Sequence, residues 1–111
     1  MLNPIADRIE RYMDLLAVRQ RLTASNIANA DTPGYKTKDI DFQAEFSSAI
    51  DGKADVIEPA GLLMKNDGNN VSLDREARLL AENALRFQIA SQMLSNQIRA
   101  VRSAIQEGSN G

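Results

Sequence analysis

Cysteine, histidine and tryptophan are all absent from the 111 residues. Without cysteine there are no disulfides, no thiol nucleophile and no thiolate metal site. Without histidine the usual general base and the commonest zinc ligand are missing as well. Aromatic side chains are scarce: Tyr12, Tyr35, Phe42, Phe46 and Phe87 are the whole set. A core built mostly from Ala, Leu, Ile and Val favours closely packed helices over a thick globular interior. No run of 18 apolar residues occurs, so no bilayer-spanning helix is expected. The first residues lack a basic stretch followed by an apolar one, so no cleavable secretory signal is expected either. A net charge of −2 supplies no electrostatic drive toward nucleic acid or anionic membrane. No cofactor, metal or small-molecule ligand is expected from such a composition.

The clearest pattern present lies near the C-terminus. Leu73, Ala77, Leu80, Ala84, Phe87, Ser91, Leu94, Ile98, Val101 and Ile105 follow one another at intervals of 4, 3, 4, 3 without a break. A helix keeps such positions on one slowly winding seam, the arrangement that lies against another helix. Ala90, Met93, Ala100 and Ala104 form a second, less complete line beside it. Either a small bundle or a filament-like assembly accounts for the seam. Ser72 caps this helix, Asp74 and Glu76 sit in its first turn, and Gly108 is expected to end it.

The N-terminal segment reads as a helix from Pro4 to about Ala28 or Asn29. Asn3 is a favourable cap and Pro4 suits the first helical position. Ile5, Ile9, Tyr12 and Leu16 form one apolar stripe, with Leu15, Val18 and Leu22 beside it. Thr32-Pro33-Gly34 must then break the helix, with Pro33-Gly34 as the central pair of a type II turn.

Residues 35–71 differ in kind, carrying four lysines, seven acidic residues and three glycines without apolar periodicity. A small hairpin or an extended arm is expected, with a helical turn or two near Phe42–Phe46 and a turn at Asn66–Asn69. All nine arginines lie in the helical segments and all four lysines in the middle. The helices are therefore equipped for planar, partly buried ion pairs and the middle for water. The fold class is all-α: a coiled-coil-like pair of terminal helices joined by a mostly extended or small β-hairpin segment. One unit is expected, with an N-terminal helix over 1–30, turn and arm over 31–71, and a C-terminal helix over 72–108. Two helices of unequal length leave part of the longer seam uncovered, so the monomer is expected to order fully when other chains supply the missing surface.

The segment Ser25-Asn26-Ile27-Ala28-Asn29-Ala30-Asp31-Thr32-Pro33-Gly34-Tyr35 resembles the signature of the flagellar basal-body rod proteins. Residues 68–76 and 80–88 resemble the C-terminal part of the proximal-rod members, apart from Ser72, where many relatives carry Asp. The resemblance implies a structural rod subunit, exported through the flagellar type III apparatus without signal cleavage and assembled through its terminal helices. It implies copies of the same chain, other rod subunits, a membrane-ring adaptor and the export gate as partners. The implied location is the basal-body rod, beyond the cytoplasm. A helical adaptor or chaperone of a type III system, or a different rod subunit, is the alternative.

Within that frame Asn26 and Asn29 either bond adjoining subunits to fix register or satisfy the last carbonyls of their own helix. Tyr35 anchors the arm on a helix or on a neighbour. Phe42 and Phe46 either match the docking motif for the export gate or form a local aromatic pair. Asp74, Glu76 and Glu82 lack a base partner and a pocket, so no enzyme is expected.

Overall fold

The computed structural model describes residues 3–48 and 52–110, with the side chains of residues 109 and 110 left aside. Helix α1 spans Pro4–Ala28, strand β1 Asp39–Ile40, helix α2 Phe42–Ser47, strand β2 Val56–Ile57 and helix α3 Leu73–Asn110. Local chemistry sets these boundaries. Asn3 Oδ1 accepts from the Ala6 N–H at 2.7 Å, closing the first turn of α1. Asp41 Oδ1 does the same for Ala44 at 3.1 Å, so Asp41 starts α2. Ser72 Oγ accepts from the Arg75 N–H at 3.2 Å and starts α3.

The other end of α3 departs from expectation. Gly108 stays inside the helix, which continues to Asn110. It is not among the glycines with positive φ, so the left-handed step that ends a helix at glycine is not taken. Helical hydrogen bonding simply continues where no other element draws the chain aside.

Helices α1 and α3 pack antiparallel. Asn26, near the end of α1, touches Glu76 at the start of α3, while Pro4 and Ile9 share a groove with Ala90 and Met93. Ala6, Ile9 and Leu16 of α1 are buried together with Ala90 of α3, while Leu15 is buried on the side that faces Gly52, Ala54 and Val56. Leu15 and Leu16 are essentially inaccessible, and each contributes roughly 1.5–3 kcal/mol through burial. Between the helices the chain forms a two-stranded antiparallel ribbon, Asp39 facing Ile57 and Ile40 facing Val56. Phe42 and Phe46 project from α2 onto Tyr12 of α1, both with ring centroids 5.3 Å from the tyrosine. The molecule is a rod itself, 70 × 25 × 17 Å. That length follows from α3, whose 38 residues extend about 57 Å against about 37 Å for α1.

Candidate assembly site

The middle of the chain is held to the helices by a buried polar clasp as well as by the buried Ile40 and Val71 and the Phe42–Phe46 contact with Tyr12. Asn26 lies at its centre, wholly inaccessible to solvent. Its Nδ2 donates to the Lys38 carbonyl at 2.8 Å and to Glu76 Oε1 at 2.5 Å. Its Oδ1 accepts from the Lys38 N–H and from Tyr35 Oη, both at 3.0 Å. Two donated and two accepted bonds fill the capacity of a carboxamide. One side chain thus ties α1, the arm and the start of α3 together.

An ionic chain runs beside it. Arg19 donates to both oxygens of Asp39 at 3.0 Å, the planar two-point pairing that suits guanidinium. Arg75 donates to Asp39 Oδ2 at 2.7 Å and to Glu76 Oε2 at 2.6 Å. Burial alone would raise the Asp39 pKa; bonds from Arg19, the Ile40 N–H and Arg75 outweigh it and hold the carboxyl below its usual range. Burial would likewise lower the Arg75 pKa, but its bonds to Asp39 and Glu76 raise it instead.

The Thr32–Tyr35 turn forms the second half of the clasp. The Tyr35 N–H reaches the Thr32 carbonyl at 3.2 Å, and Gly34 takes φ +76°, the conformation a type II turn demands of its third residue. Against it packs the turn around Gly68. The Gly34 N–H donates to the Asp67 carbonyl at 2.9 Å, and a Cβ on Gly68 would stand 3.5 Å from Gly34 Cα. Asn69, also inaccessible, donates from Nδ2 to the Asn29 and Thr32 carbonyls, both at 2.9 Å. Lys65 reaches the Ala30 carbonyl at 3.1 Å and Lys36 the Gly68 carbonyl. The carbonyls that follow α1 are therefore bonded by residues from nearly forty positions later in the chain.

Both asparagine amides are engaged within the chain. Asn26 is spent on its own chain, and Asn29 donates to the Ser25 carbonyl at 2.9 Å while accepting from Thr32 Oγ1. Tyr35 anchors on α1, with Ser25 Oγ also 3.4 Å from its hydroxyl. Of the remaining signature residues, Thr32, Pro33 and Gly34 form the exposed turn itself, and Ile27 and Ala28 complete α1. Phe42 and Phe46 form a local cluster with Tyr12, and the Arg8 guanidinium lies 4.3 Å from the Phe46 ring centroid. Sequence reasoning missed Glu76, Asp39, Asn69 and Asn70, the last of which accepts at Oδ1 from the Thr37 N–H at 2.7 Å. Only their polarity beside capping positions hinted at them.

The seam behaves differently. Leu73, Ala77, Leu80, Ala84, Phe87 and Ser91 are all exposed, Leu94, Ile98 and Val101 are half-buried, and Ile105 is exposed again. Not one of the ten is buried by its own chain. The line that α3 turns toward α1 is instead Glu76, Asn83 and Ala90. At about 100° per residue the seam from Leu73 to Ser91 lies roughly 80° to one side of that line. Ile89 and Met93 lie roughly 100° to the other side. Two flanks of the helix pair are thus apolar and open. Leu16 and Ala17 meet Ala84 and Phe87 on one; Ile5, Tyr12, Phe46, Ile89 and Met93 line the other.

Residues 13–36, the second half of α1 and the Thr32–Tyr35 turn, match the model of the family described as flagella basal body rod protein. The flagellar basal body rod protein FlgB of Escherichia coli (strain K12) is 32% identical, the alignment covering 89% of this chain and 91% of that protein. The chain belongs to the flagellar basal body rod protein family. FlgB of Salmonella typhimurium is similar to the same degree, 32% over the same shares of both chains. FlgB of Borrelia hermsii is 29% identical over 89% of this chain and 93% of its own length. As a rod protein the chain is a structural subunit of the flagellar basal body. The family match falls on α1 and its turn, so the signature coincides with half of the clasp.

Proposed function

We propose that this rod protein is a proximal subunit of the rod, delivered through the flagellar type III export apparatus and built into the assembly by its terminal helices. The observation that carries the reading is the seam: ten positions over 33 residues, none of them buried within the chain. Exposed Leu and Phe at helical spacing lose about 25 cal/mol for each Å² left in water, and a neighbouring helix removes that loss. The clasp supports the same reading, because it fixes the crossing of α1 and α3 and so presents the open flanks in constant register.

Its partners are copies of itself, other rod subunits and the adaptor that joins the rod to the membrane ring. Its role is mechanical rather than enzymatic, since the buried carboxylates Asp39 and Glu76 are both engaged by arginine. Phe42 and Phe46 serve the export gate before folding and the Tyr12 cluster afterwards; the two uses do not compete, because the exported chain is unfolded. Deleting the gene and scoring motility and the stage at which the rod stops tests the function. Loss of motility with no rod beyond the membrane ring is expected. A deletion strain that swims and yields complete rods would reject the reading.

A further inference from the structure

Two parts of this surface are incomplete in opposite senses. The first is the groove between α1 and α3, about 540 Å³, lined by Ile5, Ile9, Tyr12, Phe46, Ile89 and Met93. Its charged neighbours are already engaged, Arg8 over the Phe46 ring and Arg86 with Glu82. Among the described residues no free polar group converges on it, so it is shaped for a hydrocarbon surface rather than for a small polar ligand. The second is the end of α3. The helix passes the level of Pro4 near Met93 and continues to Asn110, an overhang of about 17 residues or about 25 Å. Leu94, Ile98, Val101 and Ile105 run along it at intervals of 4, 3, 4.

These two parts cannot satisfy each other within one chain, because the same straight helix lines the groove and then leaves it. We propose that the overhang of one copy seats in the groove of a second copy, Ile98, Val101 and Ile105 lying against Ile5, Tyr12, Ile89 and Met93. The pairing rests on the rod-subunit reading and names the contact that reading requires. The exposed area supports it. The chain exposes 7,390 Å² at 12.2 kDa, whereas a compact monomer of that mass exposes about 6,100 Å². The excess, roughly 1,300 Å², matches two small contact faces of about 600 Å² each. One face would be the groove and the other the overhang. Since the faces differ, the contact is head-to-tail and open-ended instead of closing as a symmetric dimer.

Sedimentation velocity of the full chain over a concentration series tests this with two variants at exposed positions. Ile89→Glu blocks the groove and Ile105→Glu blocks the overhang; the parent side chains are 53% and 66% exposed, and far-UV circular dichroism checks that helicity is kept. The parent should form a growing series of oligomers and each variant alone should remain monomeric. An equal mixture should give a dimer that grows no further, because the intact overhang of the first enters the intact groove of the second. If either variant loses helicity, Ile5→Lys and Val101→Lys replace the pair. A parent that stays monomeric, a variant that associates like the parent, or a mixture without dimer would overturn the pairing. The gene deletion decides the rod-subunit reading separately: a chain needed for the rod whose variants fail to complement loses only this contact.

Discussion

Replacing Asn26 by Leu removes four hydrogen bonds while nearly preserving volume, so it isolates the polar contribution of the clasp. Three of the bonds are to neutral groups, the Lys38 N–H, the Lys38 carbonyl and the Tyr35 hydroxyl. Each is worth about 1 kcal/mol net. The fourth is to the Glu76 carboxylate, where the charged acceptor raises the value to about 1.5–3 kcal/mol. The sum, about 5 kcal/mol, is offset by roughly 2 kcal/mol from burying leucine, leaving about 3 kcal/mol of destabilisation. Urea titration followed by circular dichroism, at one protein concentration for parent and variant, reads this as a fall in midpoint of about 1–2 M for a typical slope. Asn26→Asp should cost as much or more, since it loses both donors and faces Glu76 with a second negative charge. If Asn26 acted only between subunits, the midpoint would stay unchanged and only assembly would fail. A loss below about 1 kcal/mol in Asn26→Leu would refute the clasp as a stabilising element.

The remaining predictions concern charge, backbone and export. Because the folded pKa of Asp39 is lowered, its stabilising effect is present above the unfolded value near 3.9 and is lost as pH falls through the folded one. Acid unfolding should therefore be steep below about pH 4, and Asp39→Asn should flatten that limb; an unchanged acid limb in the variant would remove Asp39 from the account. Gly34→Ala meets open space but must hold φ +76°, so it should cost about 1–2 kcal/mol, read as a drop in melting temperature, whereas no drop would show the turn can relax. Phe42→Ala should stop secretion of the chain while synthesis continues, assayed in culture supernatant and cell pellet of a rod-deficient strain; normal secretion would discard the export role.

The capped helix starts, the Pro33-Gly34 break and the separation of helices from arm were all legible locally. Each depends on a side chain reaching backbone within three or four residues, or on a backbone restriction intrinsic to proline or glycine. The end of α3 was misread for the same reason. Glycine permits a stop without compelling one, and the outcome rests on whether a left-handed turn finds anything to pack against. The clasp was the least legible part. Glu76 looked like a first-turn acidic residue near the positive helix end, and Asn69 like an ordinary turn residue. Both are buried only because the arm folds back over α1 and brings positions some forty to fifty residues apart into contact.

By itself the sequence determined that two long helices exist, where each begins, and that one of them carries an apolar seam no short chain can cover. Those properties are periodic or local, and periodicity survives without knowledge of neighbours. Only the tertiary structure decided which side of α3 faces α1. The side chosen is not the most apolar line but the one bearing Glu76, Asn83 and Ala90. The physical reason lies at the end of α1, where Asn26, Arg19 and Asp39 offer buried partners that Glu76 and Arg75 can reach in one orientation only. An unsatisfied charge there would cost more than an exposed leucine. The polar clasp sets the rotation of α3, and the seam is left facing outward.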